Sequence, residues 1–244
     1  MSSDLPQTII VIPCFNEEGR LKLEEFKRFI NEASGIALLF VDDGSKDATW
    51  QILQKMTAGN ERKVYTLKLP RNQGKAEAVR QGVLAALKQN PEYIGFWDAD
   101  LAVPMEDAKW FEETLAGNNK LKMVIGCRLK RLGSNIERSC FRHYLGRVFA
   151  TIVSIHLRLP VYDTQCGAKI LTSELCRQVF ADPFSSKWFF DVEIFKRMIR
   201  IYGAQQTIES VLELPLKQWI DGGESKVKLI EAAWQFFKLL TAKK

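Results

Sequence analysis

The chain has 244 residues, of which 46% are hydrophobic and 26% are charged, and its formal net charge is +6. This composition is typical of a globular protein, and the length suits one large domain better than two. The positive charge favours an acidic partner, namely a nucleotide, a phosphate group or an anionic membrane surface. Nucleic acid is not expected as a partner, because no run of lysines and arginines dominates and no nucleic-acid-binding motif is present.

The cysteines and the apolar segments indicate the compartment. Five cysteines are present, and none of them forms a CxxC pair or a spacing typical of zinc sites. We therefore expect reduced thiols, as in the cytoplasm. The N-terminus is polar and unlike a signal peptide, and no apolar run approaches the roughly 20 residues that cross a bilayer. The prediction is a cytoplasmic protein without a transmembrane helix, bound to the membrane peripherally if at all.

The first hundred residues alternate short apolar strands with amphipathic helices. The predicted elements in chain order are strand 8–13, helix 21–33, strand 36–41, helix 49–56, strand 64–69, helix 76–89 and strand 93–97. Such alternation predicts an α/β fold in which a parallel sheet is covered by helices on both faces.

Polar clusters follow these four strands where each strand ends. They are Asn16-Glu17, Asp42-Asp43, residues 72–75 and the pair Asp98 and Asp100. In sheets of this kind, ligands bind beyond the carboxyl ends of the strands. The sequence therefore predicts a site for a nucleotide-type ligand at this edge.

Asp98 and Asp100 follow the buried run 93–97 directly. If the strand continues through them, their side chains share a face. Two neighbouring carboxylates repel each other unless a cation lies between them, and Mg²⁺ is typically held by one or two carboxylates together with substrate phosphates. The alternative is a strand followed by an ordinary acidic turn, because an Asp-x-Asp sequence is common.

The second half of the chain shows no repeat and no linker. The predicted elements are helix 107–115, strand 123–128, a mobile loop 129–139, helix 141–159, a polar turn 162–167, strand 168–171, helices 173–180 and 188–202, and a late strand 206–214. Residues 226–244 predict a mostly apolar helix with a narrow polar stripe. This helix either docks on the core or lies on a membrane surface, with Lys243 and Lys244 on the lipid headgroups. We therefore expect one domain over 1–225 and an amphipathic helix over 226–244.

The motifs resemble those of the family 2 inverting glycosyltransferases. The matching segments are VIPCFNEE (11–18), VDDGSKD (41–47), NQGK (72–75) and DAD (98–100). Three further segments are similar to the dolichyl-phosphate or polyprenyl-phosphate glucosyltransferases, whose near relatives transfer mannose: DTQCGAK (163–169), WFFDVE (188–193) and GESK (223–226). The resemblance covers nearly the whole chain. It implies a GT-A fold, which is a Rossmann-like nucleotide-sugar domain, over residues 1–225.

The resemblance also implies roles for individual residues. Asp98 and Asp100 would bind Mg²⁺ or Mn²⁺ on the donor diphosphate, and the metal would act as a Lewis acid on the departing nucleotide. The residues implied in donor binding are Pro13, Phe15, Glu17, one or both of Asp42 and Asp43, and Lys75. The residues implied in holding the diphosphate and a lipid phosphate are Arg128, Arg138, Arg142 and Lys226, since arginine matches phosphate geometry.

Three acidic or amide side chains have less defined roles in this resemblance. Asp191 would contact a sugar hydroxyl, or would simply cap a helix. Asp163 and Gln165 would line the acceptor side. Asp100, Arg128 and Asp191 are the catalytic candidates. A phosphate monoester acceptor is already ionised near neutral pH, so positioning and charge stabilisation would matter more than a general base.

Departures from the pattern bear on the substrate. The related mannosyltransferases often carry Gln where this chain has Ala102, and Arg where it has Ile220. This difference favours UDP-glucose over GDP-mannose as the donor. The eukaryotic glucosyltransferases usually have an N-terminal membrane anchor, which is not found here, so a bacterial or archaeal form is expected. The alternatives are a GDP-mannose-dependent enzyme, transfer to a soluble glycan acceptor, and a nucleotide-sugar sensor without catalysis.

Overall fold

The computed structural model describes residues 6–137 and 140–220, without the side chains of residues 140–143. Three predictions therefore lie outside the described residues: the helix over 226–244, and the phosphate contacts of Arg138 and Lys226. Arg142 lies within a described helix, but its side chain is also outside the description.

In the described residues, strands and helices alternate up to Cys127 and follow a less regular order after that. The strands are β1 (Thr8–Cys14), β2 (Ile36–Asp42), β3 (Val64–Lys68), β4 (Tyr93–Trp97), β5 (Met123–Cys127), β6 (Asn135–Glu137), β7 (Ala168–Thr172), β8 (Val211–Pro215) and β9 (Gln218–Ile220). The helices are α1 (Leu23–Glu32), α2 (Thr49–Thr57), α3 (Lys75–Leu87), α4 (Asp107–Ala116), α5 (Cys140–Leu157), α6 (Ser173–Val179), α7 (Phe190–Tyr202) and α8 (Ala204–Ser210).

The central sheet has seven strands in the order β3-β2-β1-β4-β7-β5-β8. All neighbouring pairs are parallel except the two that involve β7, which runs antiparallel to both β4 and β5. The strand order reverses between β1 and β4, and such a switch point opens a crevice at the carboxyl ends of the strands. The predicted α/β architecture is confirmed, with one strand reversed.

Two hydrophobic layers form the core, one on each face of the sheet. Because side chains alternate along a strand, Ile10 and Ile12 of β1 enter one layer, whereas Ile9 and Val11 enter the other. Helices α1, α2 and α4 contribute to the first layer, and helices α3, α5, α6 and α7 contribute to the second. Burial on both faces explains why these strands are continuous apolar runs in the sequence.

Two sequence predictions differ from the structure. The late strand expected over 206–214 is wrong in its first half, where α8 runs to Ser210 and β8 begins only at Val211. Gly203 has a φ of 81°, which lets the chain turn between α7 and α8, and the Thr207 hydroxyl donates to the Gly203 carbonyl at 2.7 Å. The loop expected over 129–139 contains β6, which pairs with β9 some 80 residues later. Local sequence does not reveal such a distant partner.

Helix α5 exposes a row of apolar side chains to solvent. The exposed members are Tyr144, Leu145, Val148, Ile152 and Ile155. Tyr144, Val148, Ile152 and Ile155 recur at intervals of three to four residues and lie on one side of the helix, and Leu145 borders them. Among the described residues, no helix is both long enough and apolar enough to cross a membrane.

Candidate active site

The polar clusters predicted from the sequence lie at one edge of the sheet. Strands β1, β2 and β4 are parallel neighbours or next neighbours, and they end at Cys14, Asp42 and Trp97. The parallel register pairs Cys14 with Asp42, and Asp42 with Lys68 at the end of β3. The loops that follow these strands therefore emerge side by side, as the alternating pattern predicts.

The loops after β1 and β2 are bonded to each other. The backbone N–H of Asn16, which has a φ of 51°, donates to the Ser45 hydroxyl at 3.0 Å, and the Asn16 side-chain oxygen accepts from the backbone N–H of Lys46 at 2.9 Å. The backbone N–H of Glu17 donates to the Thr49 hydroxyl at 2.8 Å. The two loops thus form one preorganised wall of the site. The carboxylate of Glu17 also pairs with Arg20 at 2.7 Å, so its charge is already compensated.

The neighbouring aspartates Asp42 and Asp43 have different surroundings. The carboxylate of Asp43 accepts the backbone N–H groups of Gln73 and Gly74, each at 2.8 Å, and thereby fixes the loop after β3. Burial raises the pKa of Asp43, and these hydrogen bonds oppose that rise. Asp42 is fully buried; its Oδ1 accepts the Ser45 N–H at 3.0 Å, whereas its Oδ2 has no hydrogen-bond partner among the described residues. Asp42 therefore retains a buried acceptor that no described group satisfies.

A cleft of about 730 Å³ opens at the ends of β1, β2 and β3. Its lining residues are Phe15, Gly44, Ser45, Lys46, Lys68, Leu69, Pro70, Arg71 and Asn72. Pro13 lies partly buried in β1, one residue before the strand ends. An aromatic ring together with three basic side chains suits a ligand that combines a planar ring with negative charge.

Asp98 and Asp100 lie in a turn and not on a continued strand. Strand β4 ends at Trp97, the backbone N–H of Leu101 donates to the Asp98 carbonyl at 3.2 Å, and Leu101 has a φ of 50°. The extended arrangement considered from the sequence is therefore wrong. Burial raises the pKa of Asp100, and the charge of Asp98 raises it further. The two acids therefore remain close enough to interact.

The antiparallel strand β7 places Gly167 directly behind Asp98. The register pairs Trp97 with Ala168, and the backbone N–H of Asp98 continues the ladder by donating to the Gly167 carbonyl at 3.0 Å. A Cβ atom at Gly167 would lie 1.9 Å from Oδ2 of Asp98. Any larger residue at position 167 would force the Asp98 carboxylate out of its present position.

Lys75 connects the cleft to the acidic turn. It is the first residue of α3, immediately after the loop that lines the cleft, and its ammonium group forms an ion pair with Asp98. Burial favours the neutral amine, but the charges of Asp98 and Asp191 outweigh burial and raise the pKa of Lys75. Asp191 lies in the first turn of α7 and is 5% exposed. Burial raises the pKa of Asp191, against the opposing effects of Lys169 and Lys75.

The donor groups around this turn fit a hard divalent cation only in part. Within residues 6–137 and 140–220, no group of three or more His, Cys, Asp or Glu side chains is arranged to hold a metal ion. Asp98 and Asp100 supply two carboxylates, and burial together with the neighbouring charge of Asp98 raises the pKa of Asp100, which is an environment that a cation relieves. Mg²⁺ commonly takes one or two carboxylates and completes its shell with substrate phosphates and water. The pair therefore fits a metal that arrives with a diphosphate.

Arg128 and Asp163 neutralise each other beside the site. Arg128 follows β5, and its guanidinium donates two hydrogen bonds to the Asp163 carboxylate at 2.7 and 2.8 Å. Burial favours protonation of Asp163, but the Arg128 charge outweighs burial and holds the pKa of Asp163 below its usual value. Glu213 of β8 accepts the backbone N–H groups of Tyr162 and Asp163, each at 2.7 Å. Arg128 is thus held in one orientation, with most of its charge already paired.

We expect Asp163→Asn to destabilise the protein by about 3 to 5 kcal/mol, because it leaves the Arg128 guanidinium buried without its counter-ion. The depressed pKa of Asp163 means that its stabilising effect is present above its unfolded pKa of about 3.9 and is lost as the pH falls through the folded value. The difference between wild type and variant should therefore shrink below about pH 4. Urea unfolding at several pH values measures it.

Glu106→Gln is the matched control for this prediction, because it breaks the exposed Arg28–Glu106 pair. The side chains of that pair are 55% and 46% exposed, and its loss should cost at most about 1 kcal/mol. Equal destabilisation by the two variants would contradict the role assigned to Asp163.

Sequence reasoning missed one residue that lies at the centre of this arrangement. Lys169 on β7 is completely buried, and its ammonium group lies 2.6 Å from the Asp191 carboxylate. The available signal was a single lysine in the otherwise uncharged strand AKILT. Of the predicted phosphate ligands, the structure describes the side chain of Arg128 alone.

The fold and the site together define a class of protein. A mostly parallel sheet with helices on both faces, and an acidic turn at its switch point beside a basic cleft, is the arrangement of the GT-A enzymes that use nucleotide sugars. The family model for glycosyl transferase family 2 matches residues 9–177. The chain belongs to glycosyl transferase family 2, and the predicted enzyme class is confirmed.

Curated relatives of this chain carry the name dolichyl-phosphate beta-glucosyltransferase. The protein of Dictyostelium discoideum is 30% identical, over 94% of this chain and 71% of the relative. The protein of Homo sapiens is 29% identical, over 96% of this chain and 79% of the relative. The protein of Saccharomyces cerevisiae is 32% identical, over 78% of this chain and 62% of the relative. The chain is thus similar to enzymes of this name and spans part of their length.

Solved structures confirm the fold. Glucosyl-3-phosphoglycerate synthase from Mycobacterium tuberculosis, in complex with Mn²⁺, UDP and glucosyl-3-phosphoglycerate, has a TM-score of 0.67 against this chain. The similarity covers 96% of this chain and 77% of that protein, at 16% sequence identity. An identity this low establishes the shared GT-A fold alone.

Proposed function

We propose that this chain is a metal-dependent inverting glycosyltransferase that moves glucose from UDP-glucose onto a dolichyl or other polyprenyl phosphate. The observation that carries the proposal is the junction between the basic cleft and the acidic turn. The loop after β3 lines the cleft and leads directly into Lys75, which pairs with Asp98 of the turn. A nucleoside diphosphate needs a pocket for its planar base and, next to that pocket, groups that compensate the charge of its two phosphates. The curated names of the relatives support the sugar and the acceptor.

The donor nucleoside fits the cleft at the ends of β1, β2 and β3. In this proposal, Pro13 and Phe15 contact the base, while the free Oδ2 of Asp42 accepts from a uracil N–H or a ribose hydroxyl. A buried acceptor without a partner costs about 1 to 3 kcal/mol, which a ligand donor would recover. Asp43 and Glu17 support the walls of the cleft, since both already have partners within the protein.

The diphosphate lies beside Lys75, Asp98 and Asp100 in this proposal. Mg²⁺ or Mn²⁺ held by the two aspartates would compensate the charge that builds up on the leaving nucleotide. The neighbouring solved structures contain Mn²⁺ or Mg²⁺ together with UDP, which supports a metal of this kind. Lys75 adds a fixed positive charge at the same place and needs no metal to do so.

The acceptor side lies between Asp191 and the pair of Arg128 and Asp163. A phosphate monoester supplies its own ionised nucleophile, so the protein has to position the acceptor and orient the sugar. Asp191 would accept a hydrogen bond from a sugar hydroxyl, and Arg128 would direct the lipid phosphate. Arg138, Arg142 and Lys226 remain proposed phosphate ligands. The exposed apolar side of α5 supports a lipid acceptor at a membrane surface, because such a surface is costly to leave in water.

A donor panel tests the proposal. The purified protein, with Mn²⁺ or Mg²⁺, is titrated calorimetrically with UDP-glucose, GDP-mannose and UDP-N-acetylglucosamine, with and without a short polyprenyl phosphate. We expect metal-dependent binding of UDP-glucose and transfer only in the presence of the lipid phosphate. A preference for GDP-mannose would keep the mechanism and change the donor. Binding of no nucleotide sugar would overturn the proposal.

We expect Asp42→Asn to weaken the binding of UDP by roughly 10-fold to 100-fold, the equivalent of one hydrogen bond to a charged group. The amide has the same shape, but its nitrogen donates a hydrogen bond and cannot accept one. Calorimetry with UDP measures the loss. Asp182→Asn, at an exposed site away from the cleft, is the control. Unchanged UDP affinity in Asp42→Asn would rule out the proposed contact.

A further inference from the structure

Lys169 is a charged residue in the interior of the sheet. It is 0% exposed, and it occupies a position on β7 between the apolar neighbours Ala168 and Ile170. Its ammonium group lies 2.6 Å from Oδ1 of Asp191 and donates a hydrogen bond to the Cys166 carbonyl. A buried ion pair is often no more stabilising than apolar residues of similar volume. Stability alone therefore gives little reason for a lysine here.

Both partners of Lys169 adjoin the proposed site. Cys166 precedes Gly167, whose missing Cβ leaves room for the Asp98 carboxylate. Asp191 acts electrostatically on Lys75, which is itself paired with Asp98. Charges therefore alternate in sign along the series Lys169, Asp191, Lys75 and Asp98. Lys169 and Asp98, the first and last members of this series, are also linked through the backbone. The N–H of Asp98 donates to the carbonyl of Gly167, two residues before Lys169.

Substrate has no direct access to Lys169. Its side chain is 1% exposed, and the ammonium group lies 5.0 Å from the centroid of the Phe96 ring, in addition to the two polar partners already named. The ammonium group is thus surrounded by protein atoms. An effect of Lys169 on the reaction must pass through Asp191 and through the segment behind Asp98.

We propose that Lys169 is a positioning residue that holds the Asp191 carboxylate in one orientation, and so holds Lys75 between Asp191 and Asp98. The inference rests on the proposed transfer reaction. Without the Lys169 charge, Asp191 has Lys75 as its principal remaining counter-charge, and it competes with Asp98 for that lysine. The cleft at the ends of β1 to β3 contains none of these groups, so the contacts to the donor nucleoside stay in place.

The test compares Lys169→Met with Lys109→Met. Lys109 pairs with the buried Glu112 at 2.6 Å, and Glu112 also accepts from the hydroxyl of Thr8, at the opposite edge of the sheet. We expect Lys169→Met to lower kcat by roughly 100-fold, the size of effect that a small misplacement of reacting groups causes, with a change in donor KM of less than about threefold. Lys109→Met should leave both constants unchanged.

A double variant and a spectroscopic measurement distinguish a positioning role of Lys169 from a contribution to folding alone. Lys169→Met combined with Asp191→Asn replaces the ion pair by neutral groups, and we expect it to lose no more kcat than the poorer single variant. The side-chain ¹⁵N resonance of Lys75 should move in Lys169→Met and stay in place in Lys109→Met.

Two results would overturn the inference: a folded Lys169→Met protein with the wild-type kcat, or an unmoved Lys75 resonance. A wild-type chain that transfers no sugar would contradict the proposed function instead, and the Lys75 resonance would still decide the role of Lys169.

Discussion

Asp98→Asn and Asp100→Asn are expected to abolish the enhancement of UDP binding by Mn²⁺ and to slow glucose transfer by on the order of a thousandfold. Each variant replaces one carboxylate of the turn by an amide of the same shape. A hard cation prefers charged oxygen ligands, and this turn offers two of them with no third acidic, histidine or cysteine group among the described residues. Loss of either one therefore leaves too little negative charge to hold the metal.

Calorimetry of UDP with and without Mn²⁺ measures the first effect independently of turnover. Asp182→Asn, an exposed aspartate outside the site, is again the matched control and should behave as wild type. Asp98→Asn should fold normally, because its side chain is about one third exposed and its pair with Lys75 is partly screened by water. A metal effect that persists in both variants would show that the turn does not bind the cation.

Gly167→Ala is expected to lower transfer by roughly 100-fold although it changes no ionisable group. The added methyl group would lie 1.9 Å from Oδ2 of Asp98, so the carboxylate must rotate or the turn must shift. Such a displacement moves Asp98 away from Lys75 and from the position that the diphosphate requires. The hydrogen bond from the Asp98 N–H to the Gly167 carbonyl limits how far the backbone at Gly167 can move away from Asp98.

Gly19→Ala provides the control for the alanine substitution, because a Cβ at Gly19 meets nothing within 4 Å. Both variants are compared by steady-state transfer rate and by urea unfolding. The expected pattern is a large loss of rate in Gly167→Ala with only a modest loss of stability, and no change in Gly19→Ala. Wild-type transfer by Gly167→Ala would mean that the position of Asp98 has little effect on the reaction.

The sequence was sufficient for the architecture of the first hundred residues. Runs such as residues 9–12 and 36–41 are apolar at every position, which occurs when helices cover both faces of a parallel sheet. The polar residues that interrupt these runs must then lie at strand ends. Because parallel strands end at the same edge, local patterns alone placed Phe15, Asp42 and Asp98 near one another. The family motifs follow the same pattern.

The sequence did not reveal which groups each polar side chain contacts, because those groups are distant in the chain. Asp42 and Asp43 are equivalent in the sequence, yet Asp43 binds two backbone N–H groups of the next loop, while Asp42 keeps a free oxygen. The motifs imply phosphate binding by Arg128, but they do not reveal that it is also paired with Asp163, 35 residues later. Helix α8 was mistaken for strand because β-branched residues favour strands in the absence of tertiary packing.

By itself, the sequence determined the alternating α/β fold, the sheet edge at which the candidate site residues gather, and the family. Those features depend on hydrophobic periodicity and on short motifs, which are properties of neighbouring residues. Only the tertiary structure decided that β7 runs antiparallel, that Gly167 therefore lies against Asp98, and that Lys169 reaches Asp191 inside the protein. Strand direction and buried charge pairs are set by contacts between distant segments, and no local pattern encodes such contacts.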